Sequence, residues 1–229
     1  MRLFHYKVLF NMSKSSELSN WLRINYPITK SKIVNRKPKC GVGINNADYI
    51  VSPVVGDKQI SCPAYNAWAQ MITRAYNIRY KEKNPTYKDV TVCEEWLTFS
   101  NFREWFINNH IDSYELDKDL LFVGNRVYSP KFCVFVPNWV NAFTTDCSAN
   151  RGDYKIGVHW DISNNSFRSR CSNPKTKKRE HLGIFKTEHE AYNAWLKRKL
   201  ELALELKPEM DIIDLRIYTN IVEIIKSAN

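Results

Sequence analysis

Glycine is scarce in this chain, seven in 229 residues. A fibrous repeat or a low-complexity polymer lacks the apolar surface that offsets folding entropy, and this composition is neither. No stretch comes near the ~20 apolar residues of a membrane-spanning helix, because Lys, Arg, Asp or Asn interrupts every run, so no membrane partner is expected. The six cysteines, Cys40, Cys62, Cys93, Cys133, Cys147 and Cys171, include no C-x-x-C pair. With no secretory context to favour disulfides they read as buried thiols, with a scattered zinc site as the weaker alternative. P-loop, G-x-G-x-x-G and G-x-S-x-G patterns are absent, which leaves nucleotide hydrolysis and serine chemistry without support. The opening stretch MRLFHYKVLFNMSK carries His5 and Lys7 in its apolar part and no small-residue cleavage site, so the expected location is cytoplasmic.

What the chain does have is apolar mass and positive charge. It is 44% hydrophobic and 13% aromatic, enough for at least one sizeable core and one or two domains. Thirty-four Lys and Arg face 24 acids, a formal charge of +10. A surplus of that size points first to nucleic acid or another anionic surface. Twelve Lys and Arg against five Asp and Glu fall between Arg151 and Lys199, so the basic surface is local.

Residues 1 to about 60 mix a polar stretch (MSKSSELSN), a basic run (KSKIVNRKPKCGVG) and short β-like pieces. From Cys62, helical spacing aligns Tyr65, Trp68, Met71, Ile72 and Tyr76 on one face, a core stripe. A strand-like TVC precedes a helix with Ser100 as its expected N-cap and Trp96, Phe99, Phe102, Trp105 and Phe106 as core. His110, which opens the triplet H-I-D, reads as a helix-end histidine. Next, YELDKDLL predicts a strand, Gly124-Asn125 a turn, CVFVP a second strand and Asn138 the start of a helix. After the polar connection TTDCSANRGD, GVHWDISNNSFRSRC predicts two strands about SNNS, NPKTKKRE a basic turn and HLGIF a third strand. Thr187 and Glu190 form a capping box that opens an amphipathic helix ending by Pro208.

Gly157-Val158, Phe167 between basic neighbours, Leu182-Gly183-Ile184-Phe185 and Glu190-Ala191-Tyr192 resemble the Apetala and ethylene-response DNA-binding domain, also found in phage and bacterial homing endonucleases. That resemblance implies a three-stranded sheet laid into the major groove of double-stranded DNA. Strand alternation independently puts Arg168 and Arg170 on one face of SFRSRC, and a β-ribbon fits that groove. The candidate DNA-binding residues are Lys155, His159, Arg168, Arg170 and His181, with Lys177, Lys178 and Arg179 as phosphate contacts.

The order of CPAYNAWAQM, PTYKDVTVCEEWLTFSNFREW and ELDKDLLFVGNRVYSPKFCVFVP ahead of that domain is similar to phage HNH homing endonucleases. It implies a ββα core that holds one divalent metal. Here the paired histidines of that pattern are replaced by Asp117-Lys118-Asp119, and Phe132 stands where an asparagine is usual. Asp117 and Asp119 remain candidate ligands for Mg2+ or another divalent cation. Lys118 is a further catalytic candidate, to stabilise phosphoryl charge or to act as a base if burial lowers its pKa, though alternation puts it opposite the two carboxylates; Asn125 and Asn141 are candidate water-orienting or metal groups.

The expected fold is α+β: an N-terminal α/β part with an HNH-like ββα core, then a three-stranded antiparallel sheet packed on one helix. Expected divisions are 1–61 without assigned role, 62–146 of endonuclease type, 151–207 for DNA binding and 208–229 as tail or helix. The function classes in play are a metal-dependent endonuclease or nickase acting in a host bacterial cytoplasm if phage-encoded, a non-catalytic DNA-binding or regulatory protein, and a phage protein that binds a host defence component.

Overall fold

The computed structural model describes residues 13–144 and 153–228. The terminal stretch 1–12, Cys147 and most of the connection read from TTDCSANRGD lie outside the described residues. The fold is α+β, and the chain divides into two compact units. Residues up to Asp119, with Gly124–Phe135, make the first; Leu120–Val123 and everything from Val136 make the second.

The first unit is built on aromatic packing. It opens with helices α1 (Lys14–Asn25) and α2 (Lys30–Val34) and a two-residue hairpin of β1 (Val54–Val55) and β2 (Lys58–Gln59). Helix α3 (Pro63–Tyr76) follows, then α4 (Ile78–Lys83), β3 (Thr91–Val92), α5 (Glu94–Leu97) and α6 (Phe99–Asn109). The stripe expected on α3 is buried at Trp68, Met71 and Ile72, with Tyr65 and Tyr76 packed at its margin. Trp96, Phe99, Phe102 and Phe106 are fully buried, and the Trp68 indole N–H donates to the Trp96 carbonyl at 2.8 Å. Leu22, Ala47 and Tyr49 join the same core, so the line expected at residue 61 does not divide it.

Three local expectations change. The N-cap position of α6 is Thr98, not Ser100; the Ser100 N–H is satisfied from a distance by the Asn46 side chain at 2.9 Å. The strand predicted from YELDKDLL is only β4 (Tyr114–Asp117), paired with β6 (Val134–Pro137), whose first half belongs to this unit. Between them β5 (Val127–Tyr128) pairs in parallel with β3, a long-range pairing that no local pattern encodes.

In the second unit α7 (Asn138–Thr144) begins where the sequence places it. Strands β7 (Val158–Asp161), β8 (Ser166–Asn173) and β9 (Lys178–Phe185) form an antiparallel sheet backed by α8 (Glu188–Ile213). The basic turn is tighter than NPKTKKRE suggests, because Lys178, Arg179 and Glu180 already belong to β9. The Asn173 side chain accepts the Lys175 and Thr176 N–H groups and so closes the turn.

Helix α8 starts with both bonds of the Thr187–Glu190 capping box and runs through Pro208 rather than ending there. The N–H that proline lacks would have bonded to the Leu204 carbonyl, so the helix continues past Pro208 with one internal hydrogen bond fewer. The segment expected as a tail is helix α9 (Arg216–Ser227), with Ile217, Ile221 and Ile225 buried at four-residue spacing against α8. One close approach fixes sheet to helix: Gly157 has φ +79°, and a Cβ there would stand 2.1 Å from Cδ1 of the buried Trp195.

Among the described residues no helix is long and apolar enough to cross a membrane.

Candidate nucleic-acid interface

The sheet of the second unit has one covered face and one open face. Ser169 and Cys171 are buried toward α8, which turns Arg168 and Arg170 the other way. His159 is the cross-strand partner of Arg168, and His181 that of Arg170, so both histidines share the arginine face. Ser172 opposes Arg179 and brings that exposed guanidinium to the same side.

His181 reaches this face through an irregularity. Ser169 pairs with Gly183 and Arg170 with His181, which leaves Leu182 as an extra residue in β9. Strict alternation would have carried Leu182 outward with Ile184 and turned His181 in. The bulge at Gly183, φ +133°, reverses this and keeps the imidazole exposed.

Asp161 is the carboxylate on the open face, and it is engaged. It forms an ion pair with Arg168, and its oxygens also accept from the Ser163 N–H and the Asn164 side chain. The Asn164 hydrogen bond and Arg168 hold its carboxyl below the usual range despite partial burial. Arg168 is therefore part of the sheet's own wiring, whereas among the described residues no ion pair engages Arg170, Arg179 or His181, which point outward. Burial, followed by the nearby guanidiniums of Arg170 and Arg168, pushes the His159 imidazole below its ordinary value, with Asp161 pulling weakly the other way. Glu180 lies on the helix side, where Arg198 and Asn173 bind it and hold its carboxyl low, so it does not offset the open face.

The remaining nominated cations divide. Lys177 (φ +55°) and Lys178 are exposed at the β8–β9 turn, and Lys178, opposite Asn173 and two residues before Glu180, is in register with the helix side of the sheet and not with the arginine face. Lys155 is on the helix side as well: its ammonium lies 4.8 Å from the centre of the Tyr192 ring, and its N–H donates to Glu188.

In the first unit, the stretch after β4 is occupied with itself. Asp117 accepts the Asp119 N–H at 2.9 Å, an Asx turn that ends the strand. Lys118, expected opposite Asp119, instead pairs with it at 2.8 Å. Its side chain is only 11% exposed, and its ammonium sits 5.5 Å and 6.0 Å from the centres of the Tyr87 and Tyr128 rings. The Asn125 amide donates to the carbonyls of Lys118 and Val127 at 2.6 and 2.8 Å, which braces the loop.

Asn141 lies on α7, in the second unit, where its carbonyl accepts from Thr144. Two carboxylates, one neutralised by an ammonium, with an amide spent on backbone carbonyls, do not fit a divalent cation well. Among the described residues no group of three His, Cys, Asp or Glu converges on one point. The described cysteines are free thiols, Cys62, Cys133 and Cys171 buried and Cys40 and Cys93 half-buried.

His110 does sit at a helix end. It stacks on Phe106 at 4.3 Å, and its Nδ1 is 2.9 Å from Ser13 Oγ. Asp112 accepts from the Lys14 and Ser15 N–H groups at 2.7 and 3.1 Å, so the H-I-D triplet anchors the N-terminus of α1. No protein-family model matches the chain, and neither the curated proteins nor the solved structures contain a match.

Proposed function

We propose that the protein binds double-stranded DNA through the open face of the β7–β8–β9 sheet and does so without hydrolysis at the 117–125 loop. The observation that carries the reading is the open face itself. Arg170, Arg179 and His181 project from adjacent strands, and the carboxylate among them is consumed by Arg168. A twisted three-stranded sheet fits the major groove, and guanidiniums on it reach base edges or phosphates. The local resemblance to Apetala-type domains and the charge concentrated between Arg151 and Lys199 support the same surface. The non-catalytic form is favoured by the Lys118–Asp119 pair and the committed Asn125 amide, which leave the loop poorly disposed to hold a metal.

The test is binding of a labelled duplex across a salt series. A log-log slope on the order of −4 to −6 is expected for about five to seven neutralised phosphates. A flat dependence between roughly 50 and 200 mM salt would overturn the reading. Supercoiled plasmid incubated with magnesium or manganese should be bound and left uncut. Cutting that disappears in Asp117→Ala would restore the metal-dependent endonuclease.

A further inference from the structure

The basic run of residues 30–39 plays no part in the open sheet face, and it leads to a different feature. No Asp or Glu occurs between Glu17 and Asp48, while Lys30, Lys32, Lys37 and Lys39 do. Lys39 lines a cavity of about 400 Å³ over α3, shared with Thr73, Arg74 and Tyr80, and no carboxylate lines it. A second cavity of about 360 Å³ lies on the other side of the same helix stripe, with Tyr114, Tyr128 and His110 in its walls and Glu115 as its one acid.

Asn66, Gln70 and Arg74 line both cavities. They are spaced i, i+4, i+8, so they form a single ridge along α3 with a hollow on each flank. Arg74 is half-buried in this ridge, and the hydrogen-bond partner it has is the Tyr128 hydroxyl. Burial drives the Tyr128 phenol far above its ordinary range, so it stays neutral and offers Arg74 no counter-charge. A half-buried guanidinium bonded to a neutral phenol, between two hollows walled by tyrosine, is matched by an anion that carries a flat group on either side. Another cavity of this unit, about 560 Å³, lacks that character, because Asp48 and Glu104 line it together with Arg23 and Arg103 and Arg23 is already paired with Asp48.

We propose that this ridge and its two hollows bind a single strand of nucleic acid, with a backbone phosphate on Arg74 and a base in each hollow. Each cavity is large enough for one nucleobase with its sugar, pockets of roughly 300 Å³ and above being the usual range for small organic groups. Tyr80 and Tyr114 supply stacking faces, the exposed Asn66 and Gln70 amides supply donors and acceptors for base edges, and Lys39 continues the positive track. A duplex, whose bases are stacked inside, cannot insert them into concave hollows; an unpaired strand can. The site is in the first unit and stands or falls separately from the duplex-binding face of the second.

The experiment is fluorescence anisotropy of the full chain with a labelled oligo(dT) of about eight nucleotides at low salt. Arg74→Gln is expected to weaken binding about tenfold, the loss of one charge-assisted phosphate contact, and Lys39→Gln about threefold. Should Arg74→Gln fail to fold, Lys39→Gln combined with Tyr80→Ala carries the test at positions on the rim of the cavity. Ultraviolet cross-linking of an iodouracil-substituted strand should map to the peptides that hold Tyr80 or Tyr114. Failure of the wild-type chain to bind the strand, affinity unchanged in the folded variants, or cross-links confined to residues 158–185 would each overturn the proposal. Oligo(dT) binding that survives Arg170→Ala with Arg179→Ala, while duplex binding is lost, would separate the two sites.

Discussion

The loop at 117–125 and the open sheet face at 159–181 carry the same kinds of side chain and use them in opposite ways. In the loop, carboxylate, ammonium and amide close on one another: Asp117 on the Asp119 N–H, Lys118 on Asp119, Asn125 on two carbonyls. On the sheet, one pair of this kind, Asp161 with Arg168, sits beside Arg170, Arg179 and His181, which are left turned outward. Polar groups that have satisfied each other stabilise a fold, and those left facing water are available to a partner. The contrast predicts that variants of the loop change folding and not binding, and that variants of the face change binding and not folding.

The largest effect lies beneath the face. Trp195→Ala removes the buried indole that supports the sheet, and about 3–5 kcal/mol of stability should be lost with it. A change below about 1 kcal/mol in a urea titration would show that the sheet does not rest on this helix. Next comes the face itself: Arg170→Ala with Arg179→Ala should weaken duplex binding about a hundredfold, at one contact of ~1–3 kcal/mol each, while the unfolding midpoint stays in place. An unfolded double variant would put these arginines in the first category and break the comparison.

In the loop, Asn125→Ala leaves the Lys118 and Val127 carbonyls without their donor, and about 1–3 kcal/mol of stability should go with no change in duplex affinity. A fall in affinity there, in folded protein, would bring the loop into the interface.

The smallest effect is pH-dependent. Burial depresses the His110 imidazole in the folded state, more than Asp112 raises it, and His159 is depressed as well. As pH falls below about 6.5, the unfolded chain takes up these protons before the folded one does. Stability should therefore decline from there down through the folded-state values. His110→Gln should flatten the profile in a urea series between pH 7.5 and 5.5, and a profile unchanged by that substitution would rule His110 out as its source.

Much of the second unit was legible in the sequence, because alternation, a capping box and a tight turn are local signals. Phe167, Ser169 and Cys171 were separable from Arg168 and Arg170 by counting alone, and Thr187 with Glu190 announced α8. What counting missed was non-local or depended on a departure from regularity. The outward position of His181 depends on one extra residue in β9, and a bulge has no period to read. The engagement of Arg168 by Asp161 joins residues on neighbouring strands. In the first unit the metal reading of the Asp-Lys-Asp run rested on the HNH-like order of segments, and Lys118 was set opposite both carboxylates because alternation was carried past the point where the strand stops. Once β4 ends at Asp117, Lys118 is free to turn toward Asp119. The long reach of α8 through Pro208 was hidden because a proline inside a helix removes one hydrogen bond without obliging the helix to end there.

Gly157 turns the face-and-support distinction into a statement about heredity. Its bare Cα lies over the Trp195 indole, and its carbonyl accepts the Arg170 N–H at 2.9 Å. Any side chain at 157 would meet both a backbone angle that L residues rarely adopt and an aromatic ring, with no single compensating change at 195 to relieve the first. In a library of variants selected for DNA binding, this position should be as intolerant as any that touches the duplex. A survey of variants alone would count it among the contacts, although it lies on the side of the sheet that rests on α8.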